Sequence, residues 1–208
     1  MIFFENLHRF KKKILNNFKS DITENINFGS KRANTFFKNK LKKAKFYFEY
    51  GSGNSTLLSD RLNKNYFSIE LDKNFYLNLR KKLKYKKKLL HINIGPVGEF
   101  SYPLIKNKIK IINYIETINK FFKKKKFPDL ILIDGRFRVA CCLNLYFLIK
   151  KHKINPLIIL DDYKKRNSYK ILNKFFRIKL KGRMGILIAV KNRNIKKSII
   201  NNYIYDSR

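Results

Sequence analysis

The chain of 208 residues carries 49 lysines and arginines against 14 acidic residues, a formal net charge of +35 at pH 7. Because 44% of its residues are hydrophobic, the chain can build one sizeable core, and its composition excludes a wholly disordered protein. Lysine or asparagine interrupts every apolar run before it reaches the roughly 18 residues of a membrane-spanning helix, which argues against an integral membrane protein.

The N-terminal sequence and the cysteines both indicate a cytoplasmic protein. The first four residues are apolar and the basic run at Lys11, Lys12 and Lys13 follows them, which is the reverse of the order in a secretory signal. Cys141 and Cys142 are adjacent, and neighbouring cysteines do not easily reach disulfide geometry or form a metal site without further thiols. We therefore expect buried thiols in a reducing compartment.

In chain order, the first predicted unit is a basic helical extension over residues 1–43, which precedes one domain over residues 44–208. Its apolar side chains recur at helical spacing: Phe3, Leu7, Phe10, Ile14 and Phe18. Such a stripe favours packing against the protein's own core. An anionic membrane or RNA would also suit an apolar face bordered by lysine.

From residue 45 onward, short β-rich runs alternate with helical patterns. The predicted strands cover residues 46–50, 66–71, 89–94, 130–134, 157–160, 175–179 and 185–190. The predicted helices cover residues 55–62, 74–83, 109–122, 139–150 and 163–173. This alternation predicts an α/β fold: a doubly wound, mostly parallel, Rossmann-like sheet of seven strands whose last two strands form a C-terminal antiparallel hairpin.

The strongest local motif is a strand that runs into a Gly-x-Gly turn, at Gly51 and Gly53, and then into a helix. Glycine lets the backbone approach a ligand closely, and Ser55 can cap the helix that follows. The lysine of a P-loop and the third glycine of a dinucleotide fingerprint are both missing. Glu70 ends the next strand about 20 residues later, where a carboxylate can accept hydrogen bonds from ribose hydroxyls. The turn and Glu70 together predict a nucleoside-type ligand.

The scarce acidic residues of this basic chain gather at the ends of predicted strands. They are Glu49, Glu70, Asp72, Asp134, Asp161 and Asp162. Open parallel sheets bind their ligands at this edge, although strand-end aspartates also serve as helix caps.

With these residues in view, the sequence resembles the class I S-adenosylmethionine-dependent methyltransferases. The matching segments are residues 49–56, 68–72, 129–135 and 157–163, in the order that the family has them. The resemblance implies a transferase that binds S-adenosylmethionine and methylates an acceptor.

The same resemblance implies positions for the cofactor. Its methionine side would be lined by Glu49, Gly51, Ser52 and Gly53, and Glu70 would hold the ribose. Asn93 stands where these enzymes often keep an acid near the adenine.

A metal ion is the second cofactor to consider. Asp134 follows one predicted strand and the pair Asp161 and Asp162 follows the next, so three carboxylates could meet at adjacent strand tips and suit an octahedral Mg²⁺. This is similar to the metal-dependent O-methyltransferases, and it would make Asp134 and Asp161 catalytic. The alternative is helix caps and ion pairs, in which Arg136 neutralises Asp134 or binds a carboxylate or phosphate of the substrate.

The choice of methyl acceptor is narrowed mainly by motifs that the sequence lacks. The sequence has no Asn-Pro-Pro-Tyr or Asp-Pro-Pro-Tyr segment for amino-group methylation and no Pro-Cys nucleophile of the cytosine-C5 type. We expect O-methylation of a small molecule or saccharide. The net charge keeps two alternatives open: an RNA methyltransferase, or a non-catalytic protein that binds nucleic acid or an anionic membrane surface through a basic face. A/T-rich codon bias would explain the charge without any such partner.

Overall fold

The computed structural model describes residues 25–190 and 196–207. The predicted helix that contains Phe10 lies outside these residues. Within them the helices are α1 (Lys31–Lys43), α2 (Asn54–Arg61), α3 (Lys73–Lys82), α4 (Lys108–Ile115), α5 (Asn119–Lys123) and α6 (Arg138–His152). The strands are β1 (Tyr47–Tyr50), β2 (Tyr66–Glu70), β3 (Leu89–His91), β4 (Leu130–Ile133), β5 (Leu157–Leu160), β6 (Phe176–Lys181) and β7 (Met184–Ala189).

The seven strands form one sheet in the order β3-β2-β1-β4-β5-β7-β6. Strands β1 to β5 run parallel, whereas β7 pairs antiparallel with both β5 and β6. This confirms the predicted Rossmann-like α/β sheet with its C-terminal antiparallel hairpin. The strand order changes direction between β1 and β4, and such a switch point opens a crevice at the carboxyl ends of the two strands.

Apolar side chains cover both faces of the sheet, as the unbroken apolar run of β4 requires. On one face α6 is buried along most of its length, and Cys141 and Cys142 lie there as fully buried free thiols. On the other face α1 contributes Phe37 and Leu41 to a separate core. Helix α1 begins at a Ser30 cap, where the hydroxyl accepts from the Ala33 amide at 3.2 Å.

Two predicted helices differ from the structure. Residues 109–122 form α4 and α5, joined by a short 3₁₀ turn at Glu116–Ile118. Residues 163–174 form 3₁₀ turns instead of an α-helix. Tyr169 and Leu172, which are both fully buried and three residues apart, lie on the same side of such a helix, because it has three residues per turn.

In the part of the chain that the structure describes, no helix combines the length and the apolar character needed to cross a membrane.

Candidate functional site

A cavity of about 720 Å³ opens at the carboxyl edge of the sheet, at the switch point between β1 and β4. Its volume lies within the range of about 300–1,000 Å³ that is typical of small-molecule sites. Four strand ends contribute to its wall, through Gly51 after β1, Glu70 at the end of β2, Asp134 after β4 and Asp161 after β5. The parallel sheet therefore gathers residues that lie far apart in the sequence.

The glycine turn after β1 forms one wall of the cavity. Gly51 has a φ of +83°, and a Cβ atom built on it would lie 2.7 Å from the Cα of Gly135. Only glycine fits such a close approach with a left-handed backbone. The turn then passes into α2, where the Gly53 amide donates to the Thr56 hydroxyl at 3.0 Å. The two glycine turns that follow β1 and β4 thus contact each other at the base of the cavity.

Glu49 lies beneath this turn and is fully buried. Its carboxylate accepts hydrogen bonds from four hydroxyls, those of Tyr47, Ser55, Thr56 and Ser68. Burial raises the pKa of Glu49, and the hydroxyls oppose that rise. Glu49 and Ser55 therefore support the turn from below, outside the lining of the cavity.

Glu70 lies in the cavity wall beside the glycine turn, and both of its oxygens accept hydrogen bonds. Oε2 accepts from the amide and the hydroxyl of Ser52, at 3.1 and 2.7 Å. Oε1 accepts from the amides of Leu71 and Asp72, at 2.8 and 3.0 Å, and from the Ser101 hydroxyl at 2.8 Å. The predicted residues Gly51, Ser52 and Glu70 are thus brought together on one side of the cavity.

Asn93 has a different place. Its side-chain oxygen accepts from the Gly95 amide at 2.9 Å, which shapes the loop after β3, and the residue is exposed outside the cavity lining. The structure therefore separates Asn93 from the other predicted cofactor residues.

The far end of the cavity holds three aspartates that are paired with three arginines. Asp161 is 1% exposed and receives two parallel hydrogen bonds from Arg183, at 2.9 and 2.7 Å. Asp134 accepts from Arg138 at 3.0 Å. Asp162 lies 3.1 Å from Arg183, 3.4 Å from Arg166 and 3.6 Å from Arg138. We call these six side chains the aspartate–arginine cluster.

The predicted magnesium site does not fit this arrangement. Guanidinium groups surround the carboxylates that would have to ligate the metal. Among residues 25–190 and 196–207, no group of three or more histidine, cysteine, aspartate or glutamate side chains is placed to hold a metal ion. Asp134, Asp161 and Asp162 meet as the sequence predicted, but the positive charge that balances them comes from arginine.

The carboxyl group of Asp134 has a raised pKa. Burial raises the pKa of Asp134 to about 7; Arg138 opposes this rise and the neighbouring Asp161 carboxylate adds to it. A carboxyl group with such a pKa can accept or donate a proton at neutral pH.

Arg136 lines the cavity without a carboxylate partner within the described residues. Its Nε donates to the Phe100 carbonyl at 2.7 Å. Burial, together with the charges of Arg138 and Arg166, lowers the pKa of Arg136. An anion bound beside Arg136 would relieve this excess of positive charge.

The loop after β3 forms a further wall of the cavity, and its turn-rich sequence over residues 93–100 had indicated a segment that could shape the acceptor pocket. Phe100 and Ser101 have φ values of 52° and 60°, a left-handed conformation that is unusual outside glycine. The Ser101 hydroxyl donates to Glu70, and the Phe100 carbonyl accepts from Arg136, so the loop contacts two lining residues of the cavity. Only the turn-rich composition around Gly95 and Gly98 signalled this loop in advance.

No protein-family model and no curated protein matches the sequence. Among solved structures, the chain is similar to a methyltransferase-like protein from Silicibacter pomeroyi DSS-3, with a TM-score of 0.72 and 22% identity over 89% of this chain and 100% of that one. A more distant match is cofactor-bound Rv0187 from MTB, with a TM-score of 0.45 and 12% identity over 79% of this chain and 82% of that one. Another is the Methanococcus jannaschii fibrillarin pre-rRNA processing protein, with a TM-score of 0.41 and 10% identity over 72% of this chain and 67% of that one. The first likeness shows that this chain shares the fold of that methyltransferase-like protein.

Proposed function

We propose that the protein transfers a methyl group from S-adenosylmethionine to an oxygen atom of a small acceptor that carries an anionic group. The observation that carries the proposal is the cavity itself, in which the glycine turn after β1 and the carboxylate of Glu70 face one ligand-sized space. Glycine turns and strand-end acids at a switch point suit a nucleoside ligand.

The hydrogen bonds of Glu70 allow a ribose to bind. Three of its five donors are backbone amides, which hold the carboxylate in place, and the other two are the hydroxyls of Ser52 and Ser101. Ribose hydroxyls can replace serine hydroxyls one for one, because donor type and charge stay the same. The buried Tyr114 hydroxyl adds a further polar group to the cavity wall.

When bound, S-adenosylmethionine supplies an electrophilic methyl group. Gly51, Ser52 and Glu70 would hold this cofactor, and the methyl group would pass to the acceptor oxygen with the electrons of the carbon–sulfur bond left on sulfur. The proton of the acceptor hydroxyl passes to Asp134, whose pKa of about 7 suits a general base. Asp161 is held by Arg183 and positions the cluster.

Arg136 supports the choice of acceptor. Its charge is uncompensated by a carboxylate in the described part of the chain, and the aspartate–arginine cluster beside it is already balanced. A carboxylate or phosphate on the acceptor would pair with Arg136 and place a neighbouring hydroxyl near Asp134.

The test is calorimetric titration of the nuclease-treated full-length protein with S-adenosylhomocysteine. We expect one-to-one binding that EDTA leaves unchanged. Glu70→Gln should weaken it about tenfold or more, since hydrogen bonds to a charged group contribute roughly 1.5–3 kcal/mol.

Glu116→Gln is the matched control, because Glu116 pairs with Lys197 outside the cavity. Glu116→Gln should keep the wild-type melting temperature to within a few degrees, and binding by Glu70→Gln is measured at a temperature where its melting curve shows a folded protein. Absence of binding to the wild-type protein would refute the proposal and favour a non-catalytic protein on a methyltransferase scaffold. Equal binding by both variants would remove Glu70 from the cofactor site.

A further inference from the structure

Large apolar side chains are exposed on one short segment beside the cavity. Of nine such side chains in the described residues, five lie between positions 100 and 109. They are Phe100 (81% exposed), Tyr102 (44%), Leu104 (65%), Ile105 (63%) and Ile109 (72%). A concentration of this kind on a protein surface marks an interaction site, whereas single exposed residues do not.

The backbone holds these side chains outward. The Gly98 amide donates to the Tyr102 carbonyl at 2.8 Å, and the Leu104 amide donates to the Pro96 carbonyl at 3.0 Å. The left-handed conformation of Phe100 and Ser101 is sterically costly for residues with a side chain. Their contacts with Glu70 and Arg136 maintain it. The exposure is thus a property of an ordered loop.

Lysines accompany the apolar side chains. Lys106, Lys108 and Lys110 are all exposed, and the sequence has no acidic residue between Glu99 and Glu116. The Lys106 ammonium donates to the Tyr205 carbonyl at 3.0 Å, which brings Tyr205, itself 47% exposed, to the same surface. The surface is therefore apolar at its centre and positive at its border.

We propose that this segment, residues 100–109, docks the protein on an anionic lipid bilayer. A bilayer accepts projecting apolar side chains at the boundary of its acyl chains, while lysines stay among the negative head groups. The aliphatic side chains of Leu104, Ile105 and Ile109 have no flat π-face on which a nucleic-acid base could stack, so the chemistry favours lipid over RNA.

Docking in this way has a consequence for the cavity. Phe100 and Ser101 belong both to the exposed segment and to the cavity wall. When the segment enters the head-group region, the mouth of the cavity faces the lipid surface. The docking itself does not depend on the proposed methyl transfer.

The chain contains no tryptophan, which makes a direct test possible. Phe100→Trp introduces a single tryptophan, excited selectively over the tyrosines, at the exposed segment, and Leu180→Trp, at a 50% exposed site on β6, is the matched control. With vesicles of phosphatidylcholine and about one third phosphatidylglycerol, we expect a blue shift and quenching by brominated lipid for Phe100→Trp alone. An unchanged spectrum of Phe100→Trp with bound vesicles would overturn the proposal.

Sedimentation with the same vesicles separates apolar insertion from charge attraction. At about 0.5 M salt the Debye length is only about 4 Å, so non-specific attraction of this basic protein is largely screened. There the double change Leu104→Ser and Ile105→Ser should lower vesicle binding about tenfold or more, and Leu180→Ser with Ile188→Ser should leave it unchanged.

Two outcomes would contradict the inference. Equal loss in both double variants would show that the segment has no special role. If the double variant Leu104→Ser and Ile105→Ser lost binding to a single-stranded RNA oligonucleotide but kept its binding to vesicles, the surface would be assigned to nucleic acid. Melting curves of all variants confirm folding, and these exposed sites should not alter them.

Discussion

Replacing Arg183 with methionine isolates the energy of the buried ion pair at the end of β5. Arg183 is the guanidinium that reaches the Asp161 side chain in the described structure, with its two parallel hydrogen bonds, and Asp161 is only 1% exposed. Methionine keeps an apolar stem, so the main change is a carboxylate left without its counter-charge. Breaking a buried pair in this way costs about 3–5 kcal/mol.

Protonation sets an upper limit to that loss. An aspartate has an ordinary pKa of about 3.9, so neutralising one costs about 4 kcal/mol at pH 7 and about 1.5 kcal/mol at pH 5. We therefore expect Arg183→Met to lower the free energy of unfolding by about 3–4 kcal/mol at pH 7 and by less than half of that at pH 5.

The assay is urea unfolding at both pH values and constant ionic strength. Arg177→Met, at an exposed position on β6, is the matched control and should change stability by no more than about 0.5 kcal/mol. Adding Asp161→Asn to Arg183→Met should restore much of the loss at pH 7. A loss below about 1 kcal/mol, or the same loss at both pH values, would refute the argument from a stranded charge.

Two further predictions concern the cavity. Burial raises the pKa of Asp134 to about 7, so between about pH 4 and 7 the folded protein holds a proton that the unfolded chain has lost. The free energy of unfolding should therefore fall as the pH rises through this range. Asp134→Asn should remove this contribution to the pH dependence in urea unfolding, and an unchanged pH slope would contradict the prediction. A Cβ atom on Gly135 would lie 2.2 Å from the Tyr114 hydroxyl, whereas a Cβ atom on Gly53 would meet nothing within 4 Å. Gly135→Ala should therefore lower the free energy of unfolding by about 1–3 kcal/mol, and Gly53→Ala should change it little. Melting curves of the two variants test this difference.

Much of the fold could be predicted because the central strands are short apolar runs, such as Leu130–Ile133 and Leu157–Leu160, that alternate with helical patterns. All seven predicted strands are present, and the Gly51 turn, Ser52 and Glu70 meet as their strand-end positions indicated. The 3₁₀ turns at residues 163–174 could not be predicted, since the spacing of Tyr169 and Leu172 fits either kind of helix until their burial is known.

The partners of the aspartates were equally hidden from the sequence. Arg183 is 22 residues from Asp161 and is one of 49 basic residues, so no local pattern singles it out. It reaches Asp161 because β7 lies antiparallel beside β5, in the register that pairs Leu160 with Gly185. The strand tips could be predicted, but the charges that balance them depend on long-range pairing in the sheet.

The position of Arg183 on the turn between β6 and β7 also bears on synthesis. A ribosome completes Asp134, Asp161 and Asp162 before it reaches Arg183. Until the last hairpin adds to the sheet, the nascent domain carries a cluster of carboxylates with an incomplete set of counter-charges. We therefore expect the ion pairs of the cavity to be complete only after the final two strands have joined the sheet. A chain released before Arg183 would lack the partner of Asp161, whatever its earlier strands have formed.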